Sequence, residues 1–345
     1  MPLLFTLSRW IVVVLLIGLV MTLTASAEPP NLLEARPAVI KPLTRIGKET
    51  VGFAVHCFAL ASQGDVVALG ASDGNIYLWS LADNKVIRTL DAAKNGYIGA
   101  IAFSPNGKWL AFHADNDPIR LWDIESGAEI AHSRQEFMFV NEIRFSPSGG
   151  VVGLVDDESN AFLWNPVSEK MKKLDQPGSA LAFSPDGRLL ALGLNTLQLV
   201  DVASGSRIRE FAQLEGRATS LAFSPDGSQL LAVDSGCRGT TVRLVEIDSG
   251  DETFFGDKLR SERAGAAFSA DGATVAINDG FSEAIFWDIR SGQKRLTIPS
   301  FHRDANFLVF TPNNRRLLSG RGDTYGNDVL IWDVDEIMHA ADKQP

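Results

Sequence analysis

Residues 180–187 read Ala-Leu-Ala-Phe-Ser-Pro-Asp-Gly, and a close copy, Ser-Leu-Ala-Phe-Ser-Pro-Asp-Gly, stands at residues 220–227. Each stretch first alternates small and large residues, which is typical of a β-strand with two different faces. Proline, aspartate and glycine in this order favour a type I turn followed by a left-handed residue, which closes a β-hairpin. The stretch therefore predicts a strand, a tight turn and a second strand.

This motif recurs seven times along the chain. Each copy begins at a phenylalanine, and these lie 38 to 45 residues apart: Phe58, Phe103, Phe145, Phe183, Phe223, Phe268 and Phe310. A second landmark follows each phenylalanine after 17 to 22 residues: Trp79, Trp122, Trp164, Val200, Val245, Trp287 and Trp332. Repeats of this length with room for four strands are the blades of a β-propeller. The sequence predicts an all-β fold, a seven-bladed β-propeller of four-stranded antiparallel blades.

The two ends of the repeat region indicate how the ring closes. Trp332-Asp333 ends the third strand of the last repeat, and residues 338–345 are too few and too polar for a good fourth strand. Residues Leu43 to Ile46 precede the first repeat and occupy the phase of a fourth strand. We therefore expect this N-terminal strand to complete the last blade and close the ring.

The Trp-Asp pairs at residues 122, 287 and 332 resemble those of WD40-repeat proteins, and the resemblance covers residues 40 to 337. The Phe-Ser-Pro-Asp-Gly turns are shared with TolB-like periplasmic propellers, and the degenerate repeats resemble WD40-like proteins of the exported bacterial type. The Gly-His dipeptide of WD40 repeats is missing, so the family's Asp-His-Ser-Trp hydrogen-bond tetrad is assigned to no blade. His302 stands about one residue away from the position that the histidine of this tetrad would take in the last repeat.

An export signal precedes the repeats. Arg9 is followed by an uninterrupted apolar run from Trp10 to Val20, and the run ends in Thr24-Ala25-Ser26-Ala27. This pattern predicts a cleavable signal peptide over residues 1–27, a linker over 28–40, the propeller over 41–338 and a C-terminal tail over 339–345. An uncleaved signal anchor is the alternative, and it would be the chain's sole membrane contact. In both cases we expect a periplasmic or secreted protein.

Composition excludes some partners. The formal net charge is −10, which argues against nucleic acid or anionic lipid, because these require clustered Lys and Arg. The two cysteines, Cys57 and Cys237, fall in blades one and five, too far apart in a ring for a disulfide. We expect two free thiols and a monomeric chain.

Motifs for catalysis or metal binding are weak. Gly70-Ala-Ser-Asp-Gly74 matches a nucleophile elbow in letters, but no helix follows it and a turn between blade strands explains it. The five histidines lack zinc-ligand spacing. Asp115-Asn-Asp117 and Asp156-Asp157-Glu158 could bind calcium weakly, but neither has the full ligand series of a calcium loop, and a solvated acidic rim explains them better. We expect no catalytic residue, no cofactor and no metal.

The remaining candidates lie in loops before the first strand and between the second and third strands of each blade. These loops share one end of a propeller, and exposed aromatic and arginine residues there are typical of protein-binding sites. The candidate protein-binding residues are Phe137, Met138, Phe139, Arg238, Phe281, His302, Arg303, Asp323 and Tyr325. A purely structural role, in which Phe137 or Phe139 fills the space between blades, is the alternative for the aromatic residues.

Three functions agree with these observations. The leading hypothesis is a non-catalytic, exported scaffold that binds an unidentified protein partner in the periplasm or cell envelope. The alternative is an enzyme or small-ligand-binding protein with its site at the mouth of the central channel. In a third hypothesis the repeats are purely structural within a larger envelope assembly.

Overall fold

Seven four-stranded sheets follow one another along the chain, and each is one of the predicted blades. The structure is a computed structural model. It describes residues 40–93, 96–237, 239–255, 259, 264–279, 283–299, 301, 305, 307–320 and 328–341. Within these ranges, neither helix is long and apolar enough to cross a membrane.

A short strand and a single helical turn precede the strands of blades one to three. These two elements are β1 Thr44–Ile46 and α1 Lys48–Val51. Blade one contains β2 Val55–Leu60, β3 Val66–Ala71, β4 Asn75–Ser80 and β5 Lys85–Asp91. Blade two contains β6 Ile98–Phe103, β7 Trp109–Ala114, β8 Asp117–Asp123 and β9 Ala128–Phe137. Blade three contains β10 Val140–Phe145, β11 Val152–Asp156, β12 Ala161–Asn165 and β13 Lys170–Lys173.

The second half of the ring repeats the same order of strands. Blade four contains β14 Ala180–Phe183, β15 Leu189–Gly193, β16 Thr196–Asp201 and β17 Arg207–Gln213. Blade five contains β18 Arg217–Phe223, β19 Gln229–Gly236, β20 Gly239–Glu246 and β21 Glu252–Phe254. Blade six contains β22 Gly265–Phe268, β23 Thr274–Asn278, β24 Ala284–Asp288 and β25 Gln293–Ile298. Blade seven contains β26 Phe307–Phe310, β27 Arg316–Gly320 and β28 Val329–Asp333.

The N-terminal strand supplies the fourth strand of blade seven, which confirms the predicted closure. β1 pairs antiparallel with β28, with Thr44 opposite Ile331 and Ile46 opposite Val329. Ile46 is fully buried in a core cluster that joins blade seven to blade one. The two ends of the chain's repeat region are therefore held together without a covalent bond.

The turns between first and second strands explain the recurring Ser-Pro-Asp-Gly sequence. The Ser184 hydroxyl donates to Asp186 Oδ1 at 2.6 Å and accepts from the Leu189 backbone N–H at 2.9 Å. The hydroxyl of Ser184 and the backbone N–H of Arg188 lower the pKa of Asp186 by hydrogen bonding to its carboxylate. Ser224 and Ser269 make the same contacts in blades five and six. The recurring serine and aspartate thus make the hydrogen bonds of the turn, and the turn stands at the same place in each of these blades.

One departure from this turn sequence is compensated by the next blade. Ala270 takes the proline position in blade six, and its backbone N–H donates to Asn314 Oδ1 at 2.6 Å. Asn314 stands where other copies have glycine, and it adopts a positive φ of 56°. Because proline has no N–H, the five blades with proline at this position need no such acceptor. The backbone N–H of Ala270 therefore depends on Asn314 of the next blade for its hydrogen bond.

A basic side chain on the fourth strand of one blade clamps the last turn of the next blade. Arg209 of β17 donates to the backbone carbonyls of Asp248 at 2.8 Å and Ser249 at 3.0 Å, and also to that of Ile247. Arg88 of β5 reaches the carbonyl of Glu125 at 2.8 Å, and Lys172 of β13 contacts that of Ser204. A side chain at Gly250 would collide with the guanidinium of Arg209. The recurring Ser-Gly of these turns thus serves the contact between blades.

We expect Arg209→Ala to lower the free energy of unfolding by about 1–2 kcal/mol, because several carbonyls lose a charged donor. Arg207→Ala is the matched control, since Arg207 forms only an exposed ion pair with Glu210 and such pairs contribute little. Urea denaturation of both variants measures the difference. Equal costs for the two substitutions would show that the clamp does not stabilise the contact between blades.

Blade seven contains a Trp–Ser hydrogen bond, a contact that the sequence analysis placed in no blade. The Trp332 indole N–H donates to Ser319 Oγ at 2.9 Å, with both side chains buried. In blades one to three the residues at the serine position are Leu69, Phe112 and Leu154. The indole nitrogens of Trp79, Trp122 and Trp164 accordingly have no partner among the described residues. Blade seven thus contains a buried Trp–Ser hydrogen bond, and His302 lies outside the described residues.

A C-terminal helix crosses the boundary that the sequence placed at residue 338. Helix α2, Val334–Ala341, follows β28 directly. Its Ile337 is fully buried against blades six and seven, because the helix presents one apolar face to them. Helix α2 therefore runs across residue 338, and residues 339–341 continue it.

Candidate functional site

Four inner strands carry an extra residue at the end of the ring where the predicted binding loops lie. The pairing register shifts at His56, Gly99, Asn141 and Thr219, the second or third residues of β2, β6, β10 and β18. Such β-bulges redirect side chains and are frequent beside functional sites. Here they place His56, Asn141 and Thr219 at the mouth of the central channel, where all three line cavities.

A cavity of about 410 Å³ lies at this mouth between blades one, two and three. We call it the mouth cavity. Its polar and aromatic lining includes His56, Tyr97, His113, Asp115, Phe139 and Asp157. The volume is in the range of small-ligand sites. A wider space of about 990 Å³ continues along the channel and is lined by inner strands of blades three to seven.

Blades one and two contribute a pair of aromatic rings in tilted contact beside a carboxylate. His56 and Tyr97 have ring centroids 4.6 Å apart. Burial, then the charge of Asp115 and a hydrogen bond to it, raise the pKa of Tyr97. Burial also raises the pKa of Asp115, and the Tyr97 hydroxyl and His56 partly offset this effect. Tyr97 therefore stays protonated and donates a hydrogen bond to the Asp115 carboxylate.

Blade three contributes an arginine and a glutamate to the cavity lining, and these two side chains form an ion pair with each other. Arg144 and Glu142 approach to 2.7 Å, and the other carboxylate oxygen of Glu142 accepts the Leu181 backbone N–H at 3.0 Å. Asp157 follows on the next loop and forms no ion pair with a described residue. The unbalanced charge of the mouth cavity is therefore negative.

His113 lies fully buried in the wall of the mouth cavity. Its Nε2 is 3.0 Å from the backbone carbonyl of Phe137. A carbonyl oxygen only accepts, so Nε2 carries the hydrogen. The other ring nitrogen, Nδ1, has no hydrogen-bond partner among the described residues. Burial lowers the pKa of His113, although the hydrogen bond to the Phe137 backbone, the charge and backbone of Asp117 and the charge of Asp157 act in the opposite direction.

We expect His113 to make the protein less stable in mild acid. An imidazole whose pKa is lower in the folded than in the unfolded chain opposes folding once the unfolded chain takes up a proton, below about pH 6.5. The free energy of unfolding should fall with a slope of at most about 1.4 kcal/mol per pH unit below that value. In His113→Gln this part of the slope disappears.

Urea denaturation between pH 5 and pH 8 measures this dependence, with His132→Gln, an exposed histidine of the same blade, as the matched control. If His113→Gln kept the full wild-type slope, the buried imidazole would not be its source.

Cys57 lines the mouth cavity but cannot serve as a nucleophile. Its Sγ–H donates to the backbone carbonyl of Ile98 at 3.3 Å. Burial raises the pKa of this thiol to about 12, so the reactive thiolate does not form near neutral pH. Both cysteines are free, Cys57 buried and Cys237 exposed, as the sequence predicted.

The structure describes three of the nine candidate protein-binding residues. Met138 is 62% exposed and Phe139 is 38% exposed, and Phe139 lines the mouth cavity. Phe137 is 5% exposed and packs edge-to-face against Phe162 at 5.3 Å, so its proposed role as an exposed anchor is wrong. Phe137 is the last residue of β9 and packs into the core cluster between blades two and three, whereas Met138 follows the strand and is exposed. The other six lie outside the described residues: Arg238, Phe281, His302, Arg303, Asp323 and Tyr325.

Residues of the two acidic clusters make contacts of their own. Asp156 accepts the Asn160 backbone N–H at 2.7 Å and so closes its own loop, while Asp117 pairs with Arg120 at 3.3 Å. In the described part of the chain, no group of three or more possible ligand side chains could hold a metal ion. Asp115 and Asp157 instead line the mouth cavity.

Comparison with known proteins supports a propeller with WD40-type repeats. Residues 54–148 match the family model described as the WD40 domain of anaphase-promoting complex subunit 4. The β-propeller domain of Cps50 (Swd1) from Myceliophteria thermophila superimposes with a TM-score of 0.71, covering 86% of this chain and 99% of that domain at 18% identity. This second likeness shows the fold alone.

Curated relatives match parts of the chain at low identity. A periodic tryptophan protein 2 homologue of Neurospora crassa is 24% identical over 70% of this chain and 32% of its own length. Small ribosomal subunit protein RACK1z of Oryza sativa is 32% identical over 31% of this chain and 34% of its own length. Meiotic fizzy-related protein 1 of Schizosaccharomyces pombe is 24% identical over 76% of this chain and 63% of its own length. The chain thus spans about a third of the length of the first two.

Proposed function

We propose that this protein is a non-catalytic propeller that binds a protein partner through the channel mouth of blades one to three. The observation that carries the proposal is the exposed pair Met138 and Phe139, of which Phe139 lines the mouth cavity. Exposed aromatic and methionine side chains beside a concavity are typical of protein-binding sites. The names of the matched proteins, a ribosomal subunit protein and a subunit of a larger complex, are in keeping with this function.

The chemistry of the mouth cavity supports binding over catalysis. Its thiol is protonated and hydrogen-bonded, and its arginine is held by a glutamate. Acid–base catalysis needs a group whose proton can be exchanged within reach of the substrate. His113 is fully buried, with one nitrogen bonded to a carbonyl, so its imidazole is poorly placed for that role.

The proposed setting is the periplasm or cell envelope. The support is the sequence pattern of residues 1–27, which precedes the propeller and ends in a small-residue cleavage site. Cell fractionation and the N-terminal mass of the purified protein test this setting. A protein in the periplasmic fraction that begins at Glu28 is the expected result, and a cytoplasmic chain that begins at Met1 would contradict it.

Affinity capture with matched variants tests the binding function. The double variant Met138→Asp/Phe139→Asp should lose a partner that the wild-type chain retains, since each charge opposes burial of the rim. Val167→Asp is the control, because Val167 is 83% exposed on the same blade at the opposite end of the ring. Retention of the same partner by the double variant, or its loss by Val167→Asp, would place the binding surface elsewhere.

A further inference from the structure

The exposed pair Met138 and Phe139 belongs to a short connection that hydrogen bonds hold to blade two. β9 ends at Phe137, directly before the pair, and we call residues 137–139 the rim segment. The Phe137 carbonyl accepts from His113 Nε2 at 3.0 Å, and the Met138 carbonyl accepts from the Asn116 backbone N–H at 3.2 Å. The position of the proposed binding surface therefore depends on a histidine in the adjacent strand β7 and on the loop that follows it.

The surroundings of His113 are built for a neutral imidazole. The side chain is fully buried, and the Phe137 ring meets it edge-to-face with ring centroids 6.5 Å apart. Because Nε2 carries the hydrogen, Nδ1 has a lone pair, and it has no hydrogen-bond partner among the described residues. Protonation adds an N–H and a positive charge at this nitrogen. A buried charged donor without a partner is costly, so the imidazolium favours an arrangement that reaches water.

The charges around His113 only partly offset this cost. Asp117 on β8 and Asp157 in blade three favour the protonated ring, but burial is the larger effect and lowers the pKa of His113. On β10, Glu142 and Arg144 form an ion pair with each other. Strand β6 carries no charged residue, and the charged residues of β9 are exposed. The other titratable side chains that line the same cavity are His56, Cys57, Tyr97 and Asp115.

The rim segment is the part of the enclosure that opens at the lowest cost. Strand β7, which carries His113, is paired on one side with β6 and on the other with β8. Met138 and Phe139 follow the end of β9 and are exposed. The carbonyl that binds His113 belongs to the peptide group that joins Phe137 to Met138. This peptide group can move away without breaking the pairing of β7, and exposed segments with few buried contacts open most easily.

We propose that His113 is a latch: the neutral imidazole fixes the rim segment, and protonation in mild acid releases it. Because the closed form disfavours the proton and the open form does not, acid shifts the equilibrium toward the open form. The inference rests on the proposed function and adds its regulation. A partner that contacts Met138 and Phe139 in the closed arrangement binds more weakly as the pH falls, and by linkage its binding disfavours protonation of His113.

Amide hydrogen exchange of the full chain at pH 5 and pH 7 tests the latch without a partner. The readout is the protection of the Asn116 amide, which donates to the Met138 carbonyl, after correction for the intrinsic exchange rate at each pH. We expect this protection to fall about tenfold from pH 7 to pH 5, because the imidazole of the open form titrates near pH 6.5. Since the opening is local, the Asn116 amide should also be at least about tenfold less protected than the amides of the buried strand β19.

His113→Gln separates titration from packing. The side-chain N–H of glutamine can donate to the Phe137 carbonyl but takes up no proton in this pH range. The protection of Asn116 in this variant should therefore be nearly the same at both pH values. His132→Gln, which changes an exposed histidine of the same blade, is the matched control and should keep the wild-type fall. If His113→Gln fails to fold, the comparison of Asn116 with β19 in the wild-type chain still tests the latch.

Three outcomes would overturn the latch: a fall in Asn116 protection well below threefold in the wild-type chain, an equal fall in His113→Gln, or protection of Asn116 equal to that of β19. Failure here is distinguishable from failure of the proposed function, because the exchange measurement uses no partner. An acid-sensitive rim segment that captures no protein would contradict only the binding function. A captured partner that the wild-type chain retains equally at pH 5 and pH 7 would contradict only the regulation.

Discussion

We expect a chain that begins at residue 47 to melt about 10 °C below a chain that begins at residue 40. The shorter chain lacks β1, and with it the pairing to β28 and the fully buried side chain of Ile46. The lost burial and backbone hydrogen bonds amount to about 4–6 kcal/mol. At about 2 °C per kcal/mol for a domain of this size, the melting temperature falls by about 10 °C. Differential scanning calorimetry measures it.

A matched pair of substitutions checks that the strand, and not merely chain length, closes the ring. Ile46→Asp places a charge in the cluster between blades seven and one and should lower the melting temperature as much as the deletion. Leu43→Asp is the control, since Leu43 is 52% exposed beside the same strand. Unchanged melting of the shorter chain and of Ile46→Asp would show that β1 does not hold the ring closed.

The second large effect concerns the buried tryptophans. Trp164 and Trp332 are 0% and 1% exposed, so Trp164→Ala and Trp332→Ala should each cost about 3–5 kcal/mol of unfolding free energy. Each indole fills a core cluster, and Trp332 also stacks on Phe301 with ring centroids 4.3 Å apart. Urea denaturation measures both variants. A cost below 1 kcal/mol for either would mean that the indole is not packed in the core.

Phenylalanine variants separate packing from hydrogen bonding at the same two positions. Trp332→Phe removes the bond to Ser319, whereas Trp164→Phe removes an N–H that has no partner among the described residues. We therefore expect Trp332→Phe to cost about 1 kcal/mol more. Equal costs would show that the bond in blade seven contributes nothing to stability.

The fold was readable from the sequence because two kinds of residue recur in phase. Each Ser-Pro-Asp-Gly sequence forms the turn between a first and a second strand, and each of the recurring tryptophans lies on a third strand. Both features lie where the sequence predicts them. The closing strand followed from counting strands in the last repeat. Helix α2 was missed because a single eight-residue helix after the last strand leaves no repeated pattern.

The candidate site was less predictable, for a physical reason. The mouth cavity forms where bulges in separate inner strands turn His56 and Asn141 toward the channel, and a bulge depends on pairing between strands. Asp115 and Asp157 stand out in the sequence only as acidic loop residues, because their convergence is a property of the ring. Phe137 and Met138 are apolar neighbours, and only the end of β9 at Phe137 separates the buried residue from the exposed one.

Site-specific photo-crosslinking in cells of the native host tests the protein-binding function most directly. A benzophenone amino acid replaces Met138 in one chain and Val167 in another, two exposed positions of blade three at opposite ends of the ring. The account predicts a discrete adduct with a second protein at position 138 and none at position 167. An adduct only at position 167, or none at either position, would contradict it.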